Sequence, residues 1–150
     1  MQPNVTRKQL EQHAASVRRS IITMLEQAGS GHTAGALGLA DIMTALYFAV
    51  LHISPENPDW DERDLFVMSN GHCAPVLYAI LAERGFFPRT ELATLRQFGS
   101  RLQGHPERQA LPGIETTSGP LGSGLSQASG MAYHVRYLHP QPKRFVYCLM

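Results

Sequence analysis

The chain has 150 residues, enough for about one domain, and 43% of them are hydrophobic while 17% are charged. That composition builds a core and excludes a disordered chain. Thirteen Lys and Arg against twelve Asp and Glu leave a formal net charge of +1, so there is no electrostatic case for nucleic acid or an anionic membrane.

The first predicted element is a helix. Thr6 and Gln9 form a capping-box pattern, and Leu10, Ala14, Val17, Ile21, Leu25 and Ala28 recur at helical spacing up to a stop at Gly29. After a loop over Ser30–Thr33, a second helix is expected from Leu39 to Leu51, with Ile42, Met43, Leu46, Tyr47 and Val50 on its stripe. The stretch 54–61, with two prolines, reads as a surface loop, and the acids Asp59, Asp61, Glu62 and Asp64 around Trp60 and Arg63 read as solvated groups with local ion pairs. Leu65–Met68 is a short apolar run suited to a buried parallel strand. A turn at Ser69–His72 leads into a helix with Pro75 near its start and Gly85 at its end.

A shorter helix is expected from Glu91 to Phe98, then a long loop from Gly99 to Gly113. Ile114–Thr117 reads as a strand end, Ser118–Gly124 as a glycine-rich turn, Leu125–Leu138 as a helix and Phe145–Met150 as a β-run. Strand and helix alternate, so the expected class is α/β: three layers, a mainly parallel sheet with helices on both faces. The sheet is expected to be incomplete at its C-terminal end, because the chain stops where a central strand normally delivers a functional loop. Cys73 and Cys148 follow no disulfide or metal spacing and read as core residues of a reducing compartment. Residues 1–9 hold no signal-type apolar stretch, and no run reaches the ~20 apolar residues of a membrane span. A cytoplasmic protein is expected.

Two features could carry chemistry. Thr117–Gly124 places Gly119, Gly122 and Gly124 just ahead of a helix, which suits either a phosphate cradle or an ordinary tight turn. The spacing is that of neither a P-loop nor a dinucleotide fingerprint. Three histidines, His32, His72 and His105, each follow a glycine at an element end. Imidazole there can donate to phosphate or relay protons, or simply be a loop residue. Zinc would want closer ligand spacing, so no metal ligand is assigned in this chain. His13, His52, His134 and His139 read as structural or solvated, and Phe86–Phe87 as core or interface.

Four ordered stretches, Ser30–Asp41, Phe66–His72, Gly104-His-Pro-Glu107 and Thr116–Ser126, resemble successive motifs of the transketolase N-terminal region. The turn Ala82–Pro88 is also typical, and the resemblance runs from about Ser16 onward. It covers nearly all of 1–150, as the N-terminal portion of a diphosphate-binding domain. It implies thiamine diphosphate as cofactor and transfer of a two-carbon ketol unit between sugar phosphates. His32 would serve substrate proton transfer, and His105 would hydrogen-bond the substrate where charge develops. His72 would contact the diphosphate, and Gly119, Pro120 and Leu121 would lie against the cofactor. The family's magnesium ligands, a Gly-Asp-Gly motif and a later Asn, are absent from this chain. The resemblance therefore also implies a C-terminal transketolase subunit or domain as partner, in a homo- or hetero-oligomer. The isolated chain is expected to be inactive and aggregation-prone. A non-catalytic remnant or interaction module that keeps the fold is the alternative. Ala34 stands where the family usually has glycine, a cost of about 1 kcal/mol if that position needs positive φ.

Overall fold

A computed structural model describes residues 5–150, so the start of the stretch 1–9 read for a signal segment lies outside the described residues. Helix α1 spans Arg7–Ala28. Its capping box is formed: the Thr6 hydroxyl accepts the Gln9 N–H while the Gln9 side chain accepts the Thr6 N–H at 2.8 Å. Gly29 closes it at φ 62°. The expected stripe is the buried one, with Val17 and Ile21 fully inaccessible and Met24 added to it. Each such side chain stabilises the fold by about 1.5–3 kcal/mol.

The second helical segment begins earlier than its periodicity suggests. Helix α2 covers Thr33–Gly38 and α3 covers Ala40–Ala45, followed by a π-helical turn, Leu46–Val50. Gly35 and Gly38 disguise a helix that Ala34, Ala36 and Leu37 favour. Gly35 has a packing role there: a Cβ on it would sit 2.7 Å from the Cys73 sulfur. Ala34 lies inside α2 and outside the positive-φ positions, so it carries no backbone penalty.

Strand β1 is Leu65–Met68, as expected. It pairs in parallel with β2, Val146–Leu149, with Phe66 opposite Tyr147 and Met68 opposite Leu149. Phe66 and Met68 face the main core, where the Tyr47 and Phe66 rings meet edge-on at 5.4 Å. Strand alternation turns Val67 to the other face, where α5 (Ser123–Tyr133) packs on both strands. The class is α/β with helices on both faces of a parallel sheet. Between the strands, a 3-10 turn at Gly71–Cys73 feeds α4, Ala74–Arg84. Residues Ala74 to Ala82 of α4 are all buried, so this helix is the centre of the core and packs against α1.

Five expectations need correction. The helix predicted at Glu91–Phe98 is a 3-10 segment, Arg89–Thr94. Ile114–Thr117 joins no ladder, because its neighbourhood bonds to the preceding loop: Ser118 N–H donates to the Pro106 carbonyl and Arg108 N–H to the Thr117 hydroxyl. Asp64 is not solvated. Its buried carboxylate accepts the His52 N–H at 2.9 Å and the Phe145 N–H at 2.7 Å, tying the start of both strands to the end of the π-helical turn. Arg63 does not pair locally either; it makes a two-pronged, largely buried ion pair with Glu115 at 2.9 Å. Cys73 is buried, but Cys148 is only partly so. Phe86 and Phe87 are core residues. No described helix is long and apolar enough to cross a membrane.

Candidate functional site

The turn that leaves β1 gathers the residues singled out in the sequence. His72 sits in the 3-10 turn directly after Ser69 and Asn70. The close approach of Gly35 to Cys73 brings α2 against this turn, and with it His32, the residue that caps α2. The His32 and His72 rings stand edge-on with centroids 5.2 Å apart.

The glycine-rich loop arrives from the other side. A Cβ on Gly71 would fall 2.8 Å from the Ser118 hydroxyl and 3.1 Å from the Gly119 nitrogen. One on Gly124 would fall 2.6 Å from the Ser69 Cα. Both turns are thus packed closer than any side chain allows, and Gly71 and Gly124 are the reason they can be. Gly122 takes φ 83° at the N-terminus of α5, the left-handed conformation that lets the loop enter the helix. Gly119 itself has open space around it, Pro120 is exposed, and Leu121 is 74% exposed.

His105 joins through its backbone. Its carbonyl accepts the Tyr78 hydroxyl at 3.2 Å, which also donates to the Gln103 carbonyl at 2.8 Å, and the next carbonyl, Pro106, accepts from Ser118 N–H at 3.1 Å. Tyr78 is a residue that the sequence reading missed. In an apolar helix it reads as packing, and nothing in the spacing says that its hydroxyl reaches the loop 25 residues on. Burial pushes its phenol pKa up, so it remains a donor. The Arg96 guanidinium lies against both Gly31 and Gly104, which puts the His32 and His105 turns on either side of it. All three Gly-His turns and the glycine-rich loop therefore meet at the C-terminal end of β1, where open parallel sheets take their ligands.

Three buried polar atoms there, the Ser69 and Ser118 hydroxyls and the Asn70 amide oxygen, have no hydrogen-bond partner. Unpartnered buried hydroxyls are rare and point to an acceptor that completes them. With the close-packed glycines and two imidazoles, the two hydroxyls fit the oxygen-rich diphosphate of a cofactor, whereas the Asn70 amide oxygen, an acceptor, calls for a donor or a cation. A hard divalent ion is a different matter: among the described residues no group of three or more His, Cys, Asp or Glu could hold one. Burial pushes the Cys73 thiol up, which disfavours the thiolate despite its place next to His72.

Comparison with known proteins agrees with this geometry. Residues 10–145 match the family model for the transketolase thiamine diphosphate binding domain. A transketolase of Buchnera aphidicola is 43% identical over 134 residues, which are 89% of this chain and 20% of that protein. A 6-deoxy-6-sulfo-D-fructose transketolase subunit of a Clostridium species is 43% identical over 129 residues, 85% of this chain and 47% of the subunit. The solved transketolase of Leishmania mexicana superposes with a TM-score of 0.87 at 35% identity, over 93% of this chain and 22% of that one. The chain thus spans about a fifth of the whole enzymes and about half of the separate subunit.

Proposed function

The chain belongs to the transketolase family through its thiamine diphosphate binding domain, and from that premise we propose that it forms the N-terminal portion of an enzyme moving a two-carbon ketol unit between sugar phosphates. The observation that carries this is the convergence of His32, His72, the His105 loop and the glycine-rich loop around unpartnered hydroxyls.

When bound, thiamine diphosphate supplies the carbon nucleophile and electron sink for breaking a bond beside a carbonyl. The residues of this chain bind and orient. His72, with the Ser69 and Ser118 hydroxyls and the backbone at Gly119, donates hydrogen bonds to diphosphate oxygens, while Pro120 and Leu121 give an apolar wall. His32 and His105 face the substrate. Each can donate to an oxygen on which negative charge develops, or pass a proton to or from it. Magnesium would balance the phosphate charge, and it needs oxygen ligands from a following segment or partner subunit. The same partner is expected to complete the site in a homo- or hetero-oligomer.

The direct test is ketol transfer from a ketose phosphate to an aldose phosphate by the chain combined with a C-terminal transketolase subunit, thiamine diphosphate and Mg2+. Turnover that needs every component is expected. A combined sample that binds the cofactor yet transfers nothing would instead favour the non-catalytic module.

A further inference from the structure

The candidate site lies at the C-terminal end of β1, and a separate cavity of about 470 Å³ opens at the opposite end of the sheet, roughly 10 Å away along the strands. It forms where α5 runs out into a π-helical turn, His134–Leu138, and the chain returns to start β2. The volume is that of a small-molecule site. Three cations line it, Arg136 from the π-helical turn and Lys143 and Arg144 from the approach to β2, and no acidic side chain does. Val135, Pro140 and Phe145 give it an apolar wall.

A second observation points to an anion there. The Arg144 guanidinium donates to the Asp61 carbonyl, yet its Nε–H is buried and has no acceptor among the described residues. A buried donor without an acceptor is costly, and it marks a place where one arrives. The buried Asp64 carboxylate nearby is already taken up by the Phe145 and His52 N–H groups. Lys143 is held beside the cavity, its ammonium 5.1 Å from the centre of the Phe145 ring. Three like charges in one concavity repel one another, and apolar walls focus their field on an incoming anion. A phosphate presents enough oxygens for two guanidinium forks and an ammonium.

We infer that this cavity is a second ligand site, remote from the Gly-His turns, which takes a phosphate group joined to an apolar ring, the chemical class of a nucleoside monophosphate. Arg136, Lys143 and Arg144 hold the phosphate, with the Arg144 Nε–H donating to one of its oxygens, and the ring lies against Val135, Pro140 and Phe145. The site does not depend on the ketol-transfer reading.

The test is calorimetric titration of AMP into the enzyme completed by its C-terminal subunit, with thiamine diphosphate and Mg2+ saturating. Saturable binding is expected, with an affinity about tenfold lower in Arg136→Gln and in Arg144→Gln and thiamine diphosphate affinity unchanged in both. Arg144→Gln also loses the Asp61 contact, so Arg136→Gln, at an exposed residue, keeps the test decisive. Failure of AMP to bind wild type, or undiminished affinity in Arg136→Gln, overturns the assignment. Inorganic phosphate is expected to bind at least about tenfold more weakly than AMP, because it leaves the apolar wall bare; equal affinity would refute the ring's part. His134 and His139, whose rings lie 4.5 Å apart at this loop, give a second readout by NMR. Their signals should move with AMP while those of His32 and His72 stay still, and the reverse pattern would place AMP in the candidate site instead. If the completed enzyme transfers no ketol unit, the proposed reaction fails while the AMP titration still decides this site.

Discussion

Helix α5 contains two glycines that make the same substitution a test of opposite effects. A Cβ on Gly130 would meet nothing within 4 Å, whereas one on Gly124 would stand 2.6 Å from the Ser69 Cα and 2.7 Å from its Cβ. Gly130→Ala therefore collects only the helix-propensity gain, about 0.5–1 kcal/mol. Gly124→Ala gains no more than that, and its methyl is roughly 0.9 Å short of comfortable carbon–carbon contact at about 3.5 Å. The neighbour is backbone, so the two turns must separate. Overpacking of this kind costs about 1–3 kcal/mol, which leaves a net loss of up to about 2.5 kcal/mol and a gap of about 1–3 kcal/mol between the variants. For a domain of this size about 1 kcal/mol moves Tm by about 2–4 °C, so thermal unfolding resolves the gap. Thiamine diphosphate affinity should fall with Gly124→Ala alone, because Ser69 and the glycine-rich loop are what the methyl pushes apart. If Gly124→Ala is as stable as Gly130→Ala and binds as well, the two turns are not in the contact that this account requires.

Asp64→Ala should cost about 2–4 kcal/mol, since it strands the His52 and Phe145 N–H groups; urea unfolding measures this, and a loss under about 0.5 kcal/mol would contradict it. Burial works to raise the Glu83 pKa, but hydrogen bonds from His13 and Ser16 and the Arg89 charge outweigh it and hold the pKa below the usual 4.5. A depressed carboxyl contributes stability that is present above its unfolded pKa and lost as pH falls through the folded one. The stability gap between wild type and Glu83→Gln should therefore be widest near neutral pH and close below pH 4.5, and a gap constant from neutral to strongly acid pH would refute it. Tyr78→Phe removes the hydroxyl that holds the Gln103 and His105 carbonyls. It should cost about 1 kcal/mol and lower kcat in the completed enzyme more than it changes cofactor affinity. Unchanged kcat would mean that His105 is placed by other contacts.

Elements whose information is local were legible in the sequence. The α1 capping box, its buried stripe and the Gly29 stop all follow from residues within a turn of one another, and the run Leu65–Met68 was readable as a strand because it is apolar and bounded by turns. What failed was long-range. Gly35 looks like a helix breaker until Cys73 is seen against it, and Ile114–Thr117 has strand composition, but the Thr117 hydroxyl accepts from Arg108 N–H and the next residue, Ser118, donates to the Pro106 carbonyl. Asp64 reads as one surface acid among several, because its partners lie 12 and 81 positions away. The site followed the same division. Each Gly-His pair was visible, and the family resemblance ordered them, but no spacing could reveal the Gly71–Ser118 contact, the Tyr78 anchor or the Arg96 wedge.

The central claim is that the turn after β1 and the glycine-rich loop together bind the diphosphate of thiamine diphosphate. The measurement that tests it most directly is calorimetric titration of thiamine diphosphate with Mg2+ into the enzyme completed by its C-terminal subunit, as wild type and as His72→Ala. The account predicts saturable binding by wild type and an affinity reduced by about tenfold or more in the variant. Binding that is absent from wild type, or equally strong without the His72 imidazole, would contradict it.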